Sequence, residues 1–78
     1  MTMVFQNRMM GVVIDRFGKD VVVLKEDDRH FRITVPVAVS NQFFGWVVGL
    51  GKAVRIEAPE AVKNEFKEFL KSIQERYE

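Results

Sequence analysis

The sequence predicts an α+β fold: two helices cover one face of a four-stranded antiparallel sheet, and a third helix closes the chain. Three observations predict it. Residues His30 to Val39 alternate strictly, with Phe31, Ile33, Val35, Val37 and Val39 on one side and His30, Arg32, Thr34, Pro36 and Ala38 on the other. Met10, Val13, Ile14 and Phe17 recur at the i, i+3, i+4, i+7 spacing of one helical face. Beyond Pro59, Val62, Phe66, Phe69, Leu70, Ile73 and Tyr77 form a continuous apolar stripe, with lysine and glutamate filling the remaining positions.

The elements follow in order. Thr2 to Gln6 is a short apolar run suited to a strand. Asn7 is a candidate cap for the helix that ends at Phe17, and Gly18 supplies the glycine conformation that stops it. The β-branched run Val12-Val13-Ile14 allows a strand there, but the cap, the stop and the helical spacing favour the helix. Asp20 to Lys25 (DVVVLK) is a strand. Glu26, Asp27, Asp28 and Arg29 make a charged turn into the alternating strand, completing a hairpin. Pro36 lacks a donor and is expected at an unpaired position or a bulge.

Ser40 is a helix cap, and QFFGWVVGLG (42–51) follows it. Phe43, Phe44, Val47 and Val48 share one stripe and are expected in the core. Gly45 and Gly49 are expected to let a neighbour approach closely. Trp46 lies off the stripe and is expected to be partly exposed. Gly51 ends the helix. Val54 and Ile56 point inward from a last strand, and Pro59 begins the final helix where its missing amide costs little. The order β-α-β-β-α-β-α contains the split β-α-β, ferredoxin-like pattern. The expected strand order is 4-1-3-2, with Asp20–Lys25 at an edge. The third helix then packs at the edge of the helical layer, covers the open sheet face, or docks on another chain.

Bulk properties bound the function. Seventy-eight residues make one small domain that buries about 60–65% of its unfolded surface. An apolar fraction of 47% is ample for a core. The absence of cysteine excludes disulfides and thiolate-bound metal. Twelve basic and eleven acidic residues give a net charge of +1, so any binding of nucleic acid needs a local patch. No apolar run reaches the roughly 20 residues of a membrane span, and no cleavable leader pattern follows the N-terminus. A cytoplasmic location without membrane association is the expectation.

Catalysis has little support. His30, the one histidine, is on the polar side of a strand, and Ser40 is better used as a cap than as a nucleophile. Glu26-Asp27-Asp28 lacks the ligand count of a calcium loop and reads as a solvated hairpin tip. Gly49-Leu50-Gly51-Lys52 has neither the preceding strand nor the following Ser or Thr of a phosphate loop. No acid–base or nucleophile pair is visible, so no enzyme, metal or cofactor is expected. The basic residues are the better lead. Arg32 and Arg55 are predicted on the sheet face left bare by the helices, where they are either a phosphate-binding pair or scattered surface charge balanced by Asp20 and Glu57. That face carries no aromatic platform of the kind that stacks RNA bases.

Four segments taken together carry a resemblance: IDRFGKDV (14–21), HFRITVPVAVS (30–40), SNQFFGWVVGLG (40–51) and VRIEAPEAV (54–62). In this order and spacing, they resemble the C-terminal extension (WCX) of bacterial WYL-domain, DeoR-like winged-helix transcriptional regulators. In that pattern a helix ending in Phe-Gly leads into a hairpin. A helix with a Trp, then a strand, a Pro and a last helix follow. The resemblance implies a piece of a longer regulator whose winged helix and WYL domain lie outside this chain. It implies a non-catalytic regulatory role: effector sensing and homodimerisation, with one wall of an effector site for nucleic acid or a nucleotide. Carried onto this sequence, the effector-binding residues are Arg16, Lys19, Arg32 and Arg55. The partner interface is Trp46 together with Phe69, Ile73 and Tyr77 of the last helix. The WYL triplet itself is absent, so its ligand contacts do not transfer. The alternative is a free-standing ferredoxin-like domain that pairs through its sheet around an apolar small-molecule pocket.

Overall fold

The computed structural model describes residues 1–78. Four strands form one antiparallel sheet: β1 (Thr2–Gln6), β2 (Leu24–Lys25), β3 (His30–Thr34) and β4 (Val54–Ala58), in the order β2-β3-β1-β4. Three α-helices accompany it: α1 (Met10–Phe17), α2 (Asn41–Gly49) and α3 (Glu60–Gln74). Fold class, element order and strand order agree with the reading of the sequence.

The core is a layer of side chains between the sheet and the helices. Met3 and Phe5 of β1, Phe31 and Ile33 of β3 and Ile56 of β4 meet Val13 of α1 and Phe43, Phe44 and Val47 of α2. Phe5 has no exposed surface; its ring stacks on Phe31 at 5.5 Å and meets the edge of Trp46 at 6.3 Å. Burial of each such ring contributes roughly 1.5–3 kcal/mol, a large share of the 5–15 kcal/mol that stabilises a small domain.

The third helix packs at the edge of the helical layer, the first of the three expected arrangements. Phe66 and Phe69 each lie 5.3 Å from the ring of Phe44, so α3 leans on α2 and runs alongside β4. The sheet face opposite the helices stays bare. The far end of α3 projects from the body: Leu70 and Ile73 are partly exposed and Tyr77 is 88% exposed. That projection contributes to the elongated 39 × 22 × 21 Å shape.

Several local expectations hold. Ser40 caps α2, its Oγ accepting the Phe43 N–H at 3.1 Å. Gly18 ends α1 at φ +90°, donating its N–H to the Ile14 carbonyl at 2.8 Å, and Gly51 follows α2 at φ +61°. Pro59 is the residue before α3, and its carbonyl accepts the Val62 and Lys63 amides.

Others need correction. Asn7 does not cap α1. It starts a single 3-10 turn over Asn7–Met9, and its Nδ2 and N–H donate to the carbonyls of Asp28 and Arg29, tying the end of β1 to the hairpin tip. The predicted strand at Asp20–Lys25 shrinks to Leu24–Lys25. The Val21 N–H is used by the Gly18 carbonyl, and Val21 and Val23 anchor the segment by packing on the core. The strand predicted to reach Val39 is regular only to Thr34; one more backbone pair, Val35 with Met1, follows, and Pro36 then has no N–H to continue the ladder. Its alternation persists beyond that point, with Val35 and Val37 against the core. Val48, expected inside, is 43% exposed. A Cβ at Gly45 or Gly49 would meet nothing within 4 Å, so neither glycine admits a close neighbour.

This packing makes two stability predictions. Gly45→Ala fills open space within a helix and is expected to raise unfolding stability by about 0.5–1 kcal/mol. Phe44→Ala removes the ring that holds Phe66 and Phe69 and is expected to cost about 3–5 kcal/mol. Urea unfolding of both variants checks the pair; an unchanged midpoint for Phe44→Ala would contradict the docking of α3.

Candidate functional site

Because strand side chains alternate, the inward run Met3, Phe5, Phe31 and Ile33 sends Thr2, Val4 and Gln6 of β1, and His30, Arg32 and Thr34 of β3, to the open face. Arg55 and Glu57 of β4 join them, Ile56 being inward. The register lines these residues up across the sheet. Val4 stands opposite Arg32 on one side and Arg55 on the other, and Leu24 stands beyond Arg32. Leu24, Arg32, Val4 and Arg55 therefore form one row. With neighbouring strands 4.7–4.9 Å apart, the Arg32 and Arg55 backbones lie about 10 Å from each other. Val4 is only 5% exposed on a face that carries no helix, so the surrounding side chains of that face cover it.

Each arginine has a local carboxylate. Arg32 lies 3.5 Å from Glu26, and Arg55 lies 3.0 Å from Glu57. Exposed pairs of this kind contribute about 0–1 kcal/mol, so a phosphate, which guanidinium groups grip through two parallel hydrogen bonds, competes with them readily. Beside the row lies a pocket of about 280 Å³ lined by Val4, Glu26, Asp27, His30, Lys52, Ala53, Val54 and Arg55. Lys52 adds a third cation beside Arg55 and makes no ion pair of its own.

The hairpin tip forms the rim of this pocket. Asp27 accepts the Arg29 backbone N–H at 2.7 Å and holds His30 Nδ1 at 2.8 Å, a side-chain-closed turn. The Arg29 amide, and then the His30 contact, hold the Asp27 carboxyl below its usual value of 3.8. The acidic tip thus has a structural task. No group of three potential metal ligands comes together anywhere.

The four basic residues singled out from the sequence do not converge. Arg32 and Arg55 share the open face. Arg16 lies on the helical side, its guanidinium carbon 5.0 Å from the centre of the Trp46 ring, and Lys19 is exposed in the turn after α1. The residues assigned to a partner interface also divide. Trp46 is half-buried, edge-on to Phe17 at 5.8 Å and within 6.0 Å of Phe43. It faces α1, whereas Phe44, two residues earlier, faces α3. Phe69 is engaged with Phe44, Ile73 is partly exposed near the end of α3, and Tyr77 lies in the exposed 3-10 turn (Glu75–Tyr77) that follows it. Alternation already places His30 on the same side as Arg32, but neither Lys52 nor Asp27 is joined to the arginines by the sequence pattern. They meet only through strand register and the hairpin turn, which a linear pattern does not display.

Sheet, helices and cross-strand row together make a small α+β module with one sheet face open. A family model described as the WCX domain matches residues 1–74, and the chain belongs to that family. WCX is a regulatory, not a catalytic, domain family, found in WYL-containing regulators. Comparisons with curated proteins and with solved structures gave no match. No helix is long and apolar enough to cross a membrane.

The Asp27 turn carries a pH dependence whose sign is fixed. A folded-state pKa below 3.8 means that its stabilisation is fully present above 3.8 and is lost as pH falls from there through the lowered value. Carbon-detected titration of the Asp27 carboxyl is expected to give a midpoint below that of the unfolded chain, and Asp27→Asn is expected to abolish this part of the acid dependence. A midpoint at or above 3.8 would refute the role of the turn.

Proposed function

We propose that this WCX domain is the effector-sensing and dimerising part of a cytoplasmic bacterial transcriptional regulator, working beside a winged helix and a WYL domain. Its open sheet face takes the phosphate groups of an oligonucleotide or nucleotide effector. The observation that carries this reading is the placement of Arg32 and Arg55 in one cross-strand row, about 10 Å apart, on the side of the sheet away from the core. Lys52 lines the adjoining pocket together with Arg55. The polar residues of the face support this reading over an apolar small-molecule site: besides the two arginines it carries Gln6, His30 and Glu57, and Thr2 and Thr34 hydrogen-bond to each other at 2.9 Å. Self-association has support in the exposed apolar residues Leu70 and Ile73 of α3 and Tyr77 of the turn after it.

In this mechanism the effector displaces Glu26 and Glu57 from the two guanidinium groups. Binding energy then comes from charge neutralisation and counterion release, with little contribution from base identity. Since β1 links both arginine strands to the core, a ligand bridging Arg32 and Arg55 stiffens the sheet across its centre, and the helical layer is packed on the reverse side of those same strands.

Fluorescence anisotropy with a labelled oligothymidylate, repeated over a salt series, tests the site. Arg32→Ala with Arg55→Ala is expected to weaken binding at least tenfold and to reduce the salt slope by about 0.7 for each phosphate no longer neutralised. Glu26→Gln with Glu57→Gln is expected to tighten it. Equal affinity and slope in all three proteins would remove the row from any effector site, and competition by a mononucleotide separates the two effector sizes. Light scattering is expected to show a dimer that Tyr77→Ala with Ile73→Ala weakens; a strict monomer at high concentration would overturn pairing by this domain.

A further inference from the structure

The second basic feature of the molecule is a groove of about 390 Å³ between β4 and α3, lined by Val54, Arg55, Ile56, Lys63, Phe66, Lys67 and Leu70. Its helical wall is one stripe, Lys63, Phe66, Lys67 and Leu70, at i, i+3, i+4 and i+7. Its other wall is a sheet edge, since β4 is an outer strand paired only with β1. The phase of the ladder shows which backbone groups that edge offers. Met1 and Val35 exchange both backbone hydrogen bonds, at 3.0 and 2.9 Å. Alternation from that pair points the backbone groups of Met3 and Phe5 at β3 and those of Thr2 and Val4 at β4. Val4 pairs with Arg55, so Arg55 turns its N–H and C=O toward β1, and Val54 and Ile56 turn theirs to the free side. Both residues line the groove.

The groove therefore offers an open strand edge, apolar surface from Phe66 and Leu70, and three cations. Arg55 and Lys63 have carboxylate partners in Glu57 and Glu60, at 3.0 and 3.7 Å, neither of which lines the groove, and Lys67 has none. The opposite sheet edge is blunted: β2 is two residues long. The geometry points to strand addition at β4 by an extended acidic peptide segment of a partner protein, with alternating apolar and acidic side chains. Its backbone pairs with Val54 and Ile56, its apolar side chains lie against Phe66 and Leu70, and its carboxylates meet Arg55, Lys63 and Lys67. Occupation of this edge couples the peptide to the core, because Ile56 is buried and Phe66 packs edge-to-face on Phe44. The groove shares Arg55 with the effector site, but its backbone donors are on the outer edge of β4, not on the open face.

The probe is a capped octapeptide of alternating valine and glutamate, added to the isotope-labelled domain. Expected results are amide shift changes centred on Val54 and Ile56 and at least tenfold slower hydrogen exchange at both. Lys63→Glu with Lys67→Glu is expected to weaken binding about tenfold or more, since two exposed attractions become repulsions. A peptide of the same sequence, N-methylated at alternate residues, keeps its charges but loses its ladder donors and is expected not to bind. No response at Val54 and Ile56 with millimolar peptide overturns the inference, as does equal binding by the N-methylated peptide. Protection of those two amides that rises with domain concentration alone also overturns it, assigning the edge to a second copy. Failure of the oligonucleotide test at Arg32 leaves all of these readings unaffected.

Discussion

Everything in this domain depends on one layer of aromatic rings wedged between the sheet and the helices. Phe5 sits at its centre, with Phe31 stacked beside it on the next strand and Trp46 closing over it from α2. Phe44, on the other flank of α2, receives Phe66 and Phe69 and so brings in α3. A chain of 78 residues has no room for a second core. The layer fixes the helices on one side of the sheet, and in doing so it fixes which side stays bare.

That asymmetry connects the fold to its regulatory role. A sheet covered on one face has alternate residues free on the other, and here those include the two arginines that flank Val4. The strands carrying them also carry Phe31 and Ile56 on their reverse side. A ligand on the open face and a partner on the β4 edge would both act on strands whose inward side chains hold the helices. Coupling of this kind needs no long path, because the sheet is one residue thick. The stretch QFFGWVVGLG takes its meaning from the same layer: its rings are core, Trp46 spans the seam between α1 and α2 beneath Arg16, and Gly45 and Gly49 face open space.

The hairpin shows how local chemistry supports the larger arrangement. Asn7 reaches from the end of β1 to Asp28 and Arg29, and Asp27 closes the turn through Arg29 and His30. These contacts position the start of β3, and with it the phase that sends Arg32 outward. Sequence reading saw an acidic solvated tip there and a helix cap at Asn7. The first was sound. The second failed because Asn7 gives its Nδ2 to the Asp28 carbonyl and its backbone N–H to the Arg29 carbonyl, both of which only the folded hairpin brings near.

What the sequence determined by itself was whatever depends on periodicity and local sterics. The alternation from His30 put Phe31 and Ile33 inside, the Ser40 cap and the Gly18 and Gly51 stops bounded the helices, and the element order implied the strand order. Tertiary structure decided how far each ladder runs, since Val21 and Pro36 lose or lack the donors that the alternation of their neighbours suggested. It decided that Arg32 and Arg55 stand together while Arg16 stacks on Trp46 across the sheet, and that α3 lies beside β4. Side-chain period is a property of one segment, whereas register and helix placement are properties of pairs of segments. Pairs are chosen by the packing of a shared core.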